Sequence, residues 1–497
     1  MAYEVVVVGG GIGGLTAAAL LAARGMSVCL VEREARTGGC AATLEHAGYR
    51  FEPGAGLYSS WQTGDIHERV FAELPVDAPE VRRIAPPYVV RLPDATDVRV
   101  GLEGDAHFAE LRAAFPECAD AACRFYRELL PVADALQRAA QRFPSLATLS
   151  RLGRLKLIAS EPRLAPVVLA RATHTAAQHL GDTSRRFRRF IDAQLQIFAQ
   201  VPSGQCSYLY AAVALSQPLR GMYAMRGGGA SLASTLAESI KKSGGVVRTG
   251  ATALRLSFDA AGRADGVELL SGERVEASRA VLSNLTAWDT YGKLVGHTRT
   301  PADMRARLKS LRGWGAYLLL LGLEEEGAQR LPAANVLALT DWNEGAEFDA
   351  EESLFTFSTA PDWDARAPEG QRAATVSTFT EAARWFTFHE DEAEHEAQDQ
   401  AALETLWARV HASMPELGAS VEVIETETPR TFYERTRRRL GHVGGMWQTP
   451  DALTPSALTH RTPIPHLFMV GDTVFPGNGV AAVTHAALAV ADEIAQR

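Results

Sequence analysis

Cysteine is scarce in this chain, and the spacing of its cysteines excludes several kinds of site. The 497 residues contain five cysteines, and no two of them form a C-x-x-C pair. They are Cys29, Cys40, Cys118, Cys123 and Cys206. An odd number without paired spacing argues against a disulfide framework or a zinc site and favours a reducing compartment. No HExxH spacing occurs either, so we expect no metal centre.

Long apolar runs and an excess of positive charge are also missing. No apolar run reaches bilayer-spanning length, so any membrane contact must be peripheral. The net charge of -9 argues against nucleic acid as the main partner. The first predicted strand begins at Glu4, which leaves no room for a signal peptide ahead of the fold. We therefore expect a cytoplasmic protein whose lipid contact, if it has any, is peripheral at the inner face of the membrane.

What the chain does contain is a clear pattern in its first forty residues. The β-branched run Val5–Val8 predicts a strand buried on both faces of a parallel sheet. The glycine-rich segment 9–14 follows, and then a helix over Leu15–Arg24. A second apolar strand, Ser27–Val31, leads directly to Glu32. This order of strand, glycine turn, helix, strand and acid predicts a dinucleotide site rather than an ordinary glycine turn.

Each part of this pattern has a physical role. Gly9 permits the tight turn, Gly11 lets the backbone approach a diphosphate, and Gly14 allows close helix–strand packing. The free amides at the helix start then hold the diphosphate. Glu32 can accept hydrogen bonds from both ribose hydroxyls and would repel a 2′-phosphate. The predicted contacts from this segment are Gly9, Gly11, Ile12, Gly13, Gly14, Glu32 and Arg33.

The residues after Glu32 favour a flavin over a nicotinamide. Arg36, Gly38 and Gly39 match the arginine-x-Gly-Gly extension found after the dinucleotide fold in many FAD oxidoreductases. These residues would continue along the diphosphate toward the ribityl chain, although a plain loop with a solvated arginine has the same composition. Cys40 follows directly and is a candidate for a packing contact beside the diphosphate or for a covalent flavin link.

The C-terminal residues complete the same predicted site. Leu467–Val470 has the composition of a buried strand, which Gly471 and Asp472 end. Asp472 can accept hydrogen bonds from ribityl hydroxyls. The amides near Gly479 and Val480, which begin a predicted helix, supply positive potential for the flavin N1 and C2 carbonyl. Ala253, directly before the first strand of a three-stranded meander predicted from Leu254, is a further expected cofactor contact.

The predicted fold class is α/β. We expect a Rossmann-type FAD-binding domain of the glutathione-reductase or amine-oxidase kind, interleaved with an α+β substrate domain that carries a helical insertion. Composition shifts suggest the boundaries. The FAD-binding parts are residues 1–80, 221–295 and 441–497, and the substrate parts are residues 81–220, which include the insertion, and 296–440.

One helix of the insertion, predicted over Arg185–Gln200, has two interpretations. Its four arginines beside aromatics could rest on anionic headgroups while the apolar face enters lipid. The alternative is a core-facing helix with a solvated basic side, and this alternative is favoured.

Taken together, the motifs resemble one known family along nearly the whole chain. The sequence is similar to the bacterial phytoene desaturases and carotenoid isomerases, a group of FAD-dependent enzymes that includes retinol-saturase-like members. The segments that carry the resemblance are residues 8–14 with Glu32, then 36–39, 221–228, 281–284, 428–431 and 470–480. Two positions depart from the family pattern, since Cys40 stands where arginine or serine is common and Asn478 where glutamine is usual.

The resemblance implies non-covalent FAD and an apolar tunnel that reaches the flavin from a membrane-facing opening. It also implies an apolar polyene or isoprenoid substrate that is desaturated, isomerised or saturated. Such chemistry requires a group that removes or returns a proton. Glu52 and Arg430 are the catalytic candidates.

Two other classes of function stay open at this point. A flavin amine oxidase acting on a soluble amine would need an aromatic cage before the flavin, to which Trp447 could contribute. The usual partner aromatic is missing from residues 473–475. An escort-type binding protein would keep the fold without using flavin, and the intact glycine turn with Glu32 argues against it. The sequence does not indicate an oligomeric state.

Overall fold

Two seven-stranded sheets organise the part of the chain that the computed structural model describes, which is residues 2–143, 148, 151–162, 164–386, 391–453 and 457–496. The strands are β1 Ala2–Val8, β2 Val28–Val31, β3 Leu44–His46, β4 Tyr49–Phe51, β5 Tyr58–Ser59, β6 Val81–Ile84, β7 Tyr88–Arg91, β8 Asp97–Val100, β9 Met222–Met225, β10 Val246–Arg248, β11 Ala253–Phe258, β12 Ala264–Leu269, β13 Arg274–Ser283, β14 Gly315–Glu324, β15 Asn335–Leu339, β16 Leu354–Thr359, β17 Gln371–Thr380, β18 Val421–Glu427 and β19 Leu467–Met469. The α-helices are α1 Ile12–Ala23, α2 Ile66–Phe71, α3 Asp105–Ala114, α4 Ala119–Arg142, α5 Arg151–Ser160, α6 Leu164–Arg171, α7 Arg185–Ala199, α8 Tyr208–Arg220, α9 Gly228–Lys242, α10 Ala287–Asp289, α11 Ala302–Ser310, α12 Glu325–Gln329, α13 Ala350–Ser353, α14 Glu392–Ser413, α15 Pro429–Thr436 and α16 Val480–Gln496.

The first sheet has the order expected of a Rossmann-type domain. Strands β10, β2, β1 and β13 are parallel neighbours, and β19 pairs in parallel with the end of β13. Val5–Val8 is almost fully buried, because α1 packs on the sheet together with α9 and α16. The predicted α/β class is confirmed, and so are the strand, helix and strand of the first forty residues.

One strand of this sheet is longer than expected. The last strand of the predicted meander covers residues 273–277, whereas β13 runs unbroken through Arg274–Ser283. Its first half pairs antiparallel with β12 and alternates between exposed and buried residues. Its second half lies between β1 and β19 and is buried on both faces. The change of pattern reflects a change of neighbours along one strand rather than a break.

The second sheet is mostly antiparallel, in the order β18–β14–β17–β16–β15–β7–β8. The sequence near residues 315–323, 353–359 and 374–380 predicts strands of a second sheet, and the structure confirms them as β14, β16 and β17. Sequence reasoning missed β15, whose five residues are all buried in the middle of the sheet. It also expected a loop-rich segment from Pro429, where α15 begins behind a capping box formed by Thr428 and Thr431.

The helical insertion has its own core beneath the second sheet. Phe187, Phe190 and Ile191 on α7 are buried within it. Arg186 bonds Asp94 at 2.8 Å and is only partly exposed. The lipid-facing interpretation of this helix is therefore wrong, and the core-facing one is confirmed. Among the described residues, no helix is both long and apolar enough to cross a bilayer.

Candidate cofactor site and adjoining cavity

The turn between β1 and α1 has a shape that only glycine allows. Gly9 has φ +97°, in the region that side chains disfavour. A Cβ on Gly14 would lie 2.4 Å from the Gly9 carbonyl oxygen, which is a backbone atom. Gly11 is the N-cap of α1, so the free amides of the first helical turn face outward from this turn. The result is a cradle suited to a diphosphate.

Asn284, at the end of β13, lies next to the glycines of both the N-terminal and the C-terminal motif. A Cβ on Gly11 would lie 2.6 Å from its Nδ2, and one on Gly471 would lie 3.2 Å from its Oδ1. Its backbone N–H donates to the Val8 carbonyl at 2.8 Å. Asn284 thus joins the N-terminal and C-terminal motifs. Sequence reasoning included it in the family pattern but did not count it as a site residue.

Glu32 stands at the end of β2 beside the glycine turn. Its carboxylate accepts the Gly10 N–H at 2.6 Å and the Glu34 N–H at 2.8 Å. The segment before Ala253 lies next to it, since Ala251 N–H donates to the Glu32 carbonyl at 2.8 Å. The structure therefore brings Glu32 and the start of β11, where Ala253 lies, to one end of the cradle.

The Gly38–Gly39 loop extends this cradle. Gly38 N–H donates to the Gly10 carbonyl at 2.8 Å, and a Cβ on Gly39 would lie 3.2 Å from the Gly11 Cα. The two arginines nearby point elsewhere. Arg36 is exposed and pairs with Glu45 at 3.1 Å. Arg33 donates to the Arg435 carbonyl at 2.6 Å.

Asp472 closes the cradle from the C-terminal side. It follows Gly471, whose φ is +118°, and its carboxylate accepts a hydrogen bond from Arg438 at 2.9 Å. Cys40 is exposed, but the protein atoms around its thiol raise the thiol pKa, while Arg438 opposes that shift. The net shift is upward, so the thiol is neutral at physiological pH.

A large cavity adjoins this site. Its volume is about 1090 Å³, which exceeds the usual range for small-molecule pockets. The α8 face that lines it carries Tyr210, Val213 and Ala214, and the loop Phe475–Val480 forms another wall. Tyr210 OH donates to Asn478 Oδ1 at 2.8 Å, which ties α8 to that loop. The cavity thus reaches the helix start where Gly479 and Val480 were predicted to hold a flavin ring.

Glu52 belongs to a buried ionic network. Its carboxylate accepts hydrogen bonds from Tyr58 OH, from Gly229 N–H at 3.1 Å and from Arg366 at 2.7 Å. Arg366 also pairs with Asp364 at 2.7 Å. Burial and the Glu52 charge raise the pKa of the Tyr58 hydroxyl well above its ordinary value. The network joins the β4 hairpin to the first turn of α9.

Arg430 lies at the start of α15 and bonds Glu392 at 2.7 Å, with Glu434 at 3.4 Å. Neither Arg430 nor Glu52 is among the described residues that line the large cavity, although Pro53 and Thr428 are. The structure therefore does not bring these two candidates together. Their catalytic role stays a prediction.

Two histidines lie at or next to the cavity wall. His485 on α16 lines it, and the fully buried His67 stacks on Trp61 with ring centroids 4.2 Å apart. Burial lowers the pKa of His67 to about 3 and that of His485 to about 4, so both are neutral. Across the described part of the chain, no cluster of His, Cys, Asp and Glu could hold a metal ion.

Similarity to known proteins agrees with this geometry. The family description "NAD(P)-binding Rossmann-like domain" matches residues 7–74. Among solved structures, an oxidoreductase from Methanosarcina mazei has a TM-score of 0.65 at 17% identity, covering 98% of this chain and 99% of that one. A putrescine oxidase variant has a TM-score of 0.66 at 16% identity, covering 100% and 99%. These likenesses show the fold.

Curated relatives align along almost the whole chain. The prolycopene isomerase of Daucus carota is 25% identical over 99% of this chain and 80% of its own. The all-trans-retinol 13,14-reductase of Homo sapiens is 26% identical over 98% and 84%. The phytoene dehydrogenase of Streptomyces griseus is 33% identical over 51% and 49%. These alignments fit the phytoene desaturase, carotenoid isomerase and retinol-saturase-like family, to whose members the chain is similar along almost its whole length.

Proposed function

We propose that this protein is an FAD-dependent oxidoreductase acting on carbon–carbon bonds of a long apolar polyene or isoprenoid. The observation that carries the proposal is the large cavity, whose wall includes the helix start at Gly479 and Val480. A cofactor ring held at that point would face the cavity. The names of the relatives, which are a prolycopene isomerase, a retinol reductase and a phytoene dehydrogenase, support the substrate class.

The residues of the cradle fit FAD. Gly9, Gly11 and Gly14 leave room for the diphosphate, and Glu32 stands where ribose hydroxyls can bond its carboxylate. Asp472 lies on the side where ribityl hydroxyls would extend. Bound FAD would supply the capacity to accept or return a hydride. The protein positions the apolar substrate against the ring, and the buried apolar wall excludes water.

The proton that accompanies a hydride needs a protein group. We propose Glu52 and Arg430 as the first candidates, because a carboxylate and a guanidinium stand one residue away from the cavity lining at Pro53 and two away at Thr428. The variant Glu52→Gln distinguishes a catalytic role of Glu52 from a structural role in its ionic network. Loss of activity with unchanged FAD affinity and unchanged thermal stability supports catalysis, whereas loss of stability alone assigns Glu52 to its ionic network. The same readouts apply to Arg430→Gln.

The test of the main proposal begins with the absorption spectrum of the purified protein, which should show bound FAD. Expression in a carotenoid-accumulating bacterial host should then change the pigments. Val213→Trp, which fills the cavity, should abolish that change and leave FAD bound, while Val213→Leu should retain it. Unchanged pigments with the wild-type protein would contradict carotenoid chemistry.

A flavin amine oxidase is the alternative, and the fold of putrescine oxidase is its support. The aromatic pair in this chain does not favour it. Trp447 stacks on Trp314 with ring centroids 5.8 Å apart and an interplanar angle of 27°, so the two indoles contact each other instead of flanking a gap. Peroxide release on soluble amines would support this alternative. An escort protein without catalysis would be colourless even when supplied with FAD.

We also propose that the protein meets the inner face of a membrane through α5. Leu152, Leu155 and Ile158 are 63%, 64% and 48% exposed, and Ile158 also lines the cavity. Lys156, which is exposed on the same helix, suits anionic lipid. An apolar substrate could then pass from the bilayer into the cavity.

Sedimentation with phosphatidylglycerol vesicles tests this contact. The double variant Leu152→Ser/Leu155→Ser should lose most of the binding. Leu270→Ser is the matched control, because Leu270 is 69% exposed on a distant turn. Equal loss in both variants, or binding that persists in the double variant, would contradict the role of α5.

A further inference from the structure

A buried arginine stands at the junction of the cradle segments. Arg438 has a side chain that is 14% exposed, and it donates to Asp472 Oδ2 at 2.9 Å and, from Nε, to the His442 carbonyl at 2.8 Å. It also acts on the Cys40 thiol, which follows the Gly38–Gly39 loop. A guanidinium has more N–H donors than these contacts use, so it can bond a further acceptor.

The loop that carries Arg438 is held rigidly in place. Arg437 and Leu440 both have positive φ, at +55° and +50°. A Cβ on Gly441 would lie 2.0 Å from the Pro429 carbonyl oxygen, and one on Gly445 would lie 2.3 Å from the Asp472 carbonyl oxygen. The loop backbone therefore packs directly on the Gly471–Asp472 turn, which keeps Arg438 next to Asp472.

The cradle otherwise places little positive charge where a diphosphate would bind. Arg33 and Arg36 are bonded to other groups, and Cys40 is neutral. The α1 amides contribute only the partial charge of a helix start. The Gly471 backbone lies near α1, because a Cβ on Gly13 would be 3.4 Å from its nitrogen. Arg438, bonded to the next residue, is thus on the flavin side of those amides.

We propose that Arg438 binds the flavin-side phosphate of the dinucleotide through the N–H donors that its bonds to Asp472 and the His442 carbonyl leave free. The proposal rests on FAD being the cofactor, as proposed above. The guanidinium would bond phosphate oxygens with its free donors while Asp472 and the His442 carbonyl hold its plane. The assignment predicts a dependence on Arg438 for ligands that carry this phosphate, and none for ligands that lack it.

The test is a set of titrations of the full-length, flavin-free protein with AMP, ADP and FAD, since ADP adds to AMP only the flavin-side phosphate. Arg438→Gln should weaken ADP and FAD binding by roughly 10- to 100-fold and leave AMP within about twofold. Arg438→Lys should weaken ADP and FAD binding less than Arg438→Gln does, because lysine keeps the positive charge. Arg439→Gln, at the exposed neighbouring position, is the control and should change none of the three.

Each other outcome overturns the proposal. If Arg438→Gln weakened FAD binding and left ADP binding unchanged, Arg438 would lie on the ribityl or ring side instead. Equal weakening of AMP, ADP and FAD, with a lower unfolding temperature, would make its role structural. Unchanged binding of all three would remove Arg438 from the site. A wild-type protein that binds ADP but not FAD would contradict the proposed cofactor while the comparison of AMP with ADP still tests Arg438.

Discussion

At the scale of single residues, the glycines of the first turn differ in what they contact. A Cβ on Gly14 meets the Gly9 carbonyl oxygen, whereas a Cβ on Gly11 meets the amide of Asn284, a side-chain group that can rotate. We expect Gly14→Ala to lower the free energy of unfolding of the flavin-free protein by about 1–3 kcal/mol through overpacking. Gly11→Ala should lower it less. Urea denaturation measures both.

Gly54→Ala is the control for these variants, because nothing lies within 4 Å of its Cβ position and its φ is not positive. It should unfold like the wild type. A Gly11→Ala variant less stable than Gly14→Ala would contradict the packing described for this turn.

At the scale of elements, a buried ion pair joins the β4 hairpin to the second sheet. Arg366 is 4% exposed and Glu52 15% exposed in their side chains, with 2.7 Å between them. We expect Arg366→Met to lower the free energy of unfolding by about 3–5 kcal/mol, because it leaves the Glu52 charge buried and unpaired. The double variant Glu52→Gln/Arg366→Met should recover part of that loss. Chemical denaturation of the three proteins checks this.

Arg226→Met serves as the exposed comparison, since Arg226 and its partner Glu80 are 46% and 43% exposed. Arg226→Met should lower the free energy of unfolding by less than about 1 kcal/mol. If Arg366→Met cost no more than Arg226→Met, the pair would not link these elements.

At the scale of the whole molecule, buried histidines set how stability depends on pH. Burial lowers the pKa of His67 to about 3 and those of His107 and His442 to about 4. The unfolded chain binds protons on these residues near pH 6.5, while the folded chain does not. Stability is therefore complete above pH 6.5 and falls as the pH drops from there toward 4. Equilibrium unfolding from pH 7 to 4.5 should show this fall.

In the His67→Phe variant, the free energy of unfolding should fall less steeply as the pH drops. The slope should be smaller than that of the wild type by at most about 1.4 kcal/mol per pH unit. His297→Asn, at an exposed position, should follow the wild-type curve. A flat stability profile in the wild type would show that these histidines are accessible to protons in the folded state.

Local patterns predicted much of the cofactor half. Val5–Val8, the glycine turn and Glu32 are close in sequence, so backbone preference and periodicity specify them without distant contacts. The α/β class followed from the same reasoning. Sequence analysis missed strand β15, because five consecutive buried residues have no period of two to recognise. The interleaved domain boundaries stay a prediction.

The site beyond the first turn depends on residues far apart in the chain. Arg438 meets Asp472, Asn284 meets both glycine motifs, and Arg366 neutralises Glu52 across 314 positions. No local spacing encodes such pairs, since they arise when two sheets and a helical insertion pack together. The sequence by itself determined the fold class and the dinucleotide turn. Only the tertiary structure decided which charges face that turn and where the apolar cavity reaches it.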